Sequence, residues 1–159
     1  MRSLAPRVPL AASLVLLLAG AGLLIAAARS PAPALAGTPV TSQVIAGVSA
    51  DLARVYSYSY TSLPAAETAA GHVLAGQAAA QYRELSPMLR DAVTERLTVT
   101  ARVTRAGLMS WSGGTARLLV FLSQSSARPG DKASVVSAQL IVTARSSGGR
   151  WIIESVEVP

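Results

Sequence analysis

The side chains able to carry chemistry are few. His72 is the single histidine, and cysteine is absent. A nucleophile–histidine–carboxylate relay or a two-histidine metal site needs more imidazole than this, and thiolate, disulfide and cysteine-metal chemistry are excluded. No cofactor or metal is therefore expected. The acidic residues are Asp51, Glu67, Glu84, Asp91, Glu95, Asp131, Glu154 and Glu157. Glu84, Asp91 and Glu95 adjoin Arg83, Arg90 and Arg96, which points to solvated ion pairing. Acid–base chemistry in a cone-shaped domain needs a buried carboxylate with a tuned pKa. Glu154 alternates with Ile153 and Ser155 and is placed facing outward, so no catalytic residue is assigned. Gly113-Gly114 and Gly148-Gly149 separate strands and read as turns, not as phosphate-cradling loops.

The aromatic residues are the remaining candidates. Tyr58 and Tyr60 share one face of an extended Tyr-Ser-Tyr-Ser-Tyr stretch. With Tyr82 and Trp151 they could line a pocket for a flat apolar ligand, or they could close the helix–sheet seam as core. Trp111, beside a Ser-Gly-Gly turn, is expected to be exposed. Together with Arg102 and Arg128 it marks a candidate contact surface.

The elements that must hold these residues follow from patterning. Residues 8–28 form an uncharged apolar run, preceded by Arg2 and Arg7 and closed by Arg29. About 20 residues of helix span a bilayer core, so the run is expected to be one transmembrane helix, with residues 1–7 as a short cytoplasmic end. Ala34-Leu35-Ala36 is a competing signal-peptide cleavage site, which would release the domain in secreted form. Both readings place the rest of the chain outside the cytoplasmic membrane. A Pro/Ala linker occupies 29–38. Past Arg29, eleven basic residues stand against eight acidic ones, a net of +3. The basic residues are scattered and not interleaved with aromatics, so no nucleic-acid partner is expected.

Residues 39–159 are read as a single α+β domain. Thr38-Pro39 starts a helix reaching about Tyr58, with Val44, Val48, Leu52 and Val55 on one face. A second helix starts at Ser62 and Pro64 and stops at Gly76, with His72 in its last turn. A third runs from Gln77 to about Leu85 and breaks at Ser86-Pro87, because an interior proline costs about 3 kcal/mol. Leu97, Val99, Ala101 and Val103 then alternate with polar residues, as in a strand with one wet face. Thr115–Gln124 is apolar on both faces and reads as a central strand. Ala133–Arg145 and Arg150–Pro159 complete four antiparallel strands. Helices first and strands second imply helices packed on one face of a curved sheet, the nuclear transport factor 2-like or cystatin-like cone.

Several segments in order resemble a known family. Tyr58-Ser59-Tyr60-Thr61-Ser62-Leu63, Leu74-Ala75-Gly76 and Gln81-Tyr82 are similar to the S-Y-D-Y-x-x-L stretch, helix stop and following tyrosine of the Mce-associated membrane proteins of actinobacteria. Thr98–Ala101, Ala106-Gly107-Leu108, Leu119–Gln124 and Gly149-Arg150-Trp151 resemble that family's strands and its "GRW". Ser59 stands where the family usually has Asp, and Ser123 where it often has Asn. The resemblance implies a single-pass, non-enzymatic accessory protein of an envelope lipid or sterol transporter, whose partners are other envelope proteins. A small apolar ligand in the cone and a cone-fold isomerase are the alternatives. The type IV secretion assembly factors share the same layout of short cytoplasmic end, single span and outer cone domain.

Overall fold

The computed structural model describes residues 38–159. The expectations for 1–7, for the span over 8–28 and for the linker up to residue 37 lie outside those residues. Among the described residues, no helix is long and apolar enough to cross a membrane.

Among the described residues, three helices, interrupted by a two-residue first strand, precede the rest of a five-stranded antiparallel sheet. Helix α1 is Pro39–Val55, β1 is Tyr58–Ser59, α2 is Leu63–Val73 and α3 is Gly76–Thr94; β2 (Thr98–Ser112), β3 (Thr115–Ala127), β4 (Ser134–Ser147) and β5 (Arg150–Glu157) follow. The strands lie in sequence order across the sheet. The four strands expected become five, because the tyrosine stretch contributes a two-residue edge strand. Tyr58 pairs with Val99 and Ser59 with Thr98.

Helix α1 begins as its residues dictate. Thr38 is extended, its hydroxyl accepts the Thr41 N–H at 3.3 Å, and Pro39 occupies the first helical turn. Val44, Val48, Leu52 and Val55 recur at helical spacing and are all buried. The helix ends at Val55 rather than at Tyr58.

Helix α3 departs from the expected break. It runs unbroken through Pro87 for 19 residues. Pro87 removes the N–H that the Arg83 carbonyl would receive, but Pro87 sits on the exposed side. Tyr82, Leu89 and Ala92 on the opposite face are buried against the sheet, and that burial outweighs the lost bond. Gly76 does not stop α2. It opens α3 at φ +52°, where a Cβ would lie 3.3 Å from the Glu154 carbonyl oxygen. At the far end Arg96 takes a left-handed φ of 54°. The Arg96 N–H reaches the Val93 carbonyl and the Leu97 N–H the Ala92 carbonyl, a Schellman closure with arginine where glycine is usual.

The sheet bends at three irregularities. Thr104 and Met109 are extra residues in β2 against β3, and Glu154 is extra in β5 against β4. On the concave face Ala116, Leu118, Val120 and Leu122 of β3 meet Leu140, Val142 and Ala144 of β4, all fully or almost fully buried. Among the described residues, helices cover this face only. Strand β3, expected to be buried on both sides, is therefore wet on one: Phe121 is 39% exposed and Arg117 is exposed. At the edges, the Ser57 hydroxyl accepts the Ala101 N–H at 2.8 Å, and the α2–α3 junction adds a bridge from Leu74 to Ile153 beside β5.

Candidate functional site

The interior of the cone holds a chamber built from tyrosines. Tyr56 follows the end of α1, Tyr58 lies on β1, and Tyr82 projects from the second turn of α3. All three are buried. With Val55, Leu85, Leu89 and Gln124 they enclose a cavity of about 20 Å³. A single water needs about 10–15 Å³, so the space suits one water and not a flat ring. Gln124, on the inner face of β3, is a buried polar residue whose Nε2 donates to the Tyr56 carbonyl at 3.4 Å. The Tyr58 hydroxyl is buried and has no hydrogen-bond partner among the described residues.

The electrostatics of the chamber favour neutral phenols. Burial raises the Tyr56 pKa to about 12, helped by the nearby Tyr82. Burial and then Glu67 raise Tyr82 to about 12. Burial, with Tyr82 again, pushes Tyr58 further up. The phenols on this cavity are thus protonated at neutral pH.

Two larger recesses lie outside the chamber. Between α2 and α3 a slot of about 250 Å³ is lined by Glu67, Ala70, Gly71, Leu74, Ala79, Tyr82, Arg83 and Ser86. Small residues on α2 hold the helices close enough to form a slot, and Tyr82 is the wall it shares with the chamber. A wider recess of about 500 Å³ lies between α1, the end of α2 and the β4–β5 turn, with Asp51, Arg54, His72, Arg150 and Trp151 on its walls. Asp51 is held above the usual carboxylate pKa by partial burial, which the cation of Arg54 partly offsets. Their charged groups are 3.9 Å apart.

The sequence-predicted residues are distributed among these features. Tyr58 and Tyr82 meet in the chamber. Tyr60 lies in the turn after β1, half-buried, and the bend there separates it from Tyr58. Trp151 sits on the 500 Å³ recess and packs on Gly47, where a Cβ would come within 3.0 Å of its ring. Trp111 is 40% exposed and stands edge-on to Trp151, ring centroids 5.3 Å apart. Arg102 is exposed on the uncovered sheet face, opposite Ser123. Arg128 forms an ion pair with Glu95, tying the β3–β4 loop to the end of α3. That pairing corrects the expectation that Glu95 pairs with Arg96, which turns away in the left-handed position past the end of α3. Glu154 lies on the β5 bulge and pairs with Arg145 at 2.6 Å.

The uncovered face was not legible as one surface. Phe121 pairs with Arg105 and Gln139, Leu119 with Gly107 and Ile141, and Arg117 with Ser110 and Thr143. These residues form an apolar strip of Leu119, Phe121 and Ile141 flanked by Arg102, Arg105 and Arg117. Among the described residues, none of these three arginines has an ion-pair partner.

No family model matches the sequence, and no curated protein matches it. Solved structures do match in shape. An IcmL-like type IV secretion system protein from Legionella pneumophila superposes with a TM-score of 0.64 at 14% identity, over 77% of this chain and 94% of its own. CagV, a VirB8 homologue of the type IV secretion system of Helicobacter pylori, gives 0.60 at 11%, over 74% and 96%. A periplasmic fragment of TraM gives 0.60 at 12%, over 73% and 94%. At these identities the likeness establishes the fold: an α+β, nuclear transport factor 2-like domain of three helices on a five-stranded antiparallel sheet.

Proposed function

We propose that the chain is a non-enzymatic, membrane-anchored accessory or assembly protein of the cell envelope, acting through protein contacts of its outer domain. The single observation that carries this reading is the contrast between the two sheet faces. The concave face is filled, and its chamber presents neutral tyrosines and one glutamine. The opposite face presents an apolar strip and three arginines that have no ion-pair partners and no cover among the described residues. A domain of this design offers a surface to a partner and little room to a substrate. The shape shared with type IV secretion proteins, one of them a periplasmic fragment, supports a place in the envelope. The ordered segments quoted above support an Mce-type lipid or sterol transporter as the system served. The apolar run over 8–28 supports a single span with the N-terminus inside, and Ala34-Leu35-Ala36 marks the secreted alternative.

A ligand-binding reading is favoured by one feature, the slot between α2 and α3 with its apolar wall of Ala70, Leu74, Ala79 and Tyr82. The test that separates the two is a mild-detergent pull-down of the full-length chain from its native membrane, with mass spectrometry of bait and prey. Co-purified transporter subunits, lost on Arg102→Glu with Arg105→Glu, are the expected result. A bait that starts at Gly37 and is recovered alone from the medium would overturn the anchored reading, and partners indifferent to both charge reversals would overturn the use of the sheet face.

A further inference from the structure

One end of the domain has the composition of a membrane-interface patch. The β2–β3 and β4–β5 turns lie together there, since Thr115 pairs with Arg145 and the Ser146 N–H reaches the Gly114 carbonyl. Helix α1 leads to the same end. Its last residue, Val55, borders the chamber beside Gln124, while Gly47 touches Trp151 next to the β4–β5 turn. The helix therefore runs from the turn end toward the chamber. Thr38, nine residues before Gly47, lies within about 14 Å of that contact at 1.5 Å rise per residue.

This end gathers exposed apolar side chains. Val40 on the first turn of α1 is 51% exposed, Met109 on the second β2 bulge 46%, and Trp111 40%. Two arginines flank them, Arg117 three residues past Gly114 and Arg150 beside Gly149. Both are exposed, and neither has an ion-pair partner among the described residues. The nearby carboxylates are engaged, Glu154 with Arg145 and Asp51 with Arg54. The result is a tip that is apolar, aromatic and positively charged, at the point where the chain leaves for its N-terminal apolar run.

We infer that this tip rests on the bilayer surface, with Trp111 at headgroup depth, Val40 and Met109 beside it, and Arg117 and Arg150 against anionic lipid. The inference rests on the anchored reading of residues 8–28. The occupant is a lipid surface because of where the described chain starts. The linker over 29–38 is ten residues long and reaches at most about 36 Å when extended, so the tip is held near the membrane continuously. Indole favours the interface, and each arginine near an anionic surface raises binding about fivefold at low salt. Docking would engage the open sheet face at its Arg117 end and leave the remainder, with Arg102, Arg105 and Phe121, free for a partner.

The test uses the two tryptophans of the chain. The full-length protein is reconstituted in vesicles of phosphatidylcholine and phosphatidylglycerol, with or without lipid brominated near the headgroup. Flotation reports anchoring, and fluorescence reports depth. Trp151→Phe leaves Trp111 as the single indole. If that variant does not fold, the difference between wild type and Trp111→Phe isolates the same signal. The expected result is a floating protein whose Trp111 emission is quenched by the brominated lipid. Quenching should be released by Arg117→Glu with Arg150→Glu, or by salt that shortens the screening length from about 10 to about 3 Å. A protein that floats with unquenched Trp111 overturns the docking and leaves the anchor standing. Trp111 unquenched in vesicles but shielded from a soluble quencher in native membranes would assign the tip to a protein partner. A protein that does not float overturns the anchor and the docking together.

Discussion

Tyr58→Phe is the most direct test of the chamber. The substitution deletes one atom, the buried hydroxyl that lacks a partner among the described residues, and keeps the ring that lies among Val55, Tyr82, Leu89 and Gln124. Leaving a buried hydrogen-bonding group unsatisfied costs about 1–3 kcal/mol. Against this stands the space left by the oxygen. At about 24 cal/mol per Å³, enlarging the 20 Å³ cavity by roughly 10 Å³ costs about 0.2 kcal/mol. The balance favours the phenylalanine by about 1 kcal/mol, which for a domain of this size raises the melting temperature by roughly 4 °C. Urea unfolding followed by circular dichroism, with the slope unchanged, would measure it. A Phe variant less stable than wild type by more than about 0.5 kcal/mol would refute the reasoning. It would mean that the hydroxyl is satisfied, most simply by a water in the chamber shared with Gln124.

Other expectations follow from the same description. Burial holds the folded phenols protonated, so between pH 10 and 12 the folded chain binds more protons than the unfolded one; stability is full below pH 10 and falls as pH rises toward 12. Tyrosinate absorbance should show Tyr56 and Tyr82 ionising late in the native protein and near pH 10 in denaturant. Arg96→Gly relieves a left-handed non-glycine residue in the Schellman turn and should stabilise by about 0.5–1 kcal/mol in thermal unfolding, with destabilisation sinking the idea. Gly47→Val places a branched side chain where a single Cβ already meets Trp151 at 3.0 Å, and should cost roughly 1–3 kcal/mol while shifting the Trp151 emission. Glu95→Ala and Arg128→Ala should couple by about 0.5–1 kcal/mol in a double-mutant cycle, and a coupling near zero would show that the loop is not held by this pair.

Periodicity carried the reading wherever a residue's environment depends on its immediate neighbours. The 4-4-3 spacing of Val44, Val48, Leu52 and Val55 and the alternation from Leu97 to Val103 were legible because each is set by one element's own geometry. The errors arise where a distant surface decides. Pro87 looked like a break because the contacts of Tyr82 and Leu89 with the sheet, which keep the helix intact, have no signature near the proline. Strand β3 is the middle strand, as its sequence suggested, but apolar Leu119 and Phe121 implied burial on both faces, and among the described residues no element covers the second one. Tyr58 and Tyr60 looked like partners on one face, and the turn at Tyr60 parts them. Gln124 could not be recognised as buried, since its partner is a carbonyl 68 residues away. The extra residues Thr104 and Met109 are ordinary strand formers, and a bulge leaves no mark in composition.

The sheet ends on both sides in ways that discourage self-association. β1 pairs with only the first two residues of β2, so the remaining edge from Thr100 to Ser112 has no strand partner among the described residues. Such an edge is a template on which a second chain can grow. Here the Ser57 hydroxyl already occupies the Ala101 N–H, and the bulges at Thr104 and Met109 break the hydrogen-bond rhythm that an incoming strand would need. On the opposite side the α2–α3 junction shields β5, with the Ala75 N–H taking the Ile153 carbonyl at 2.9 Å. Wherever copies of the domain crowd together, an unguarded edge would become a seed for fibrils. Straightening β2 by deleting Thr104 and Met109 would remove that guard, and the cost would appear as aggregates of an otherwise well-packed domain.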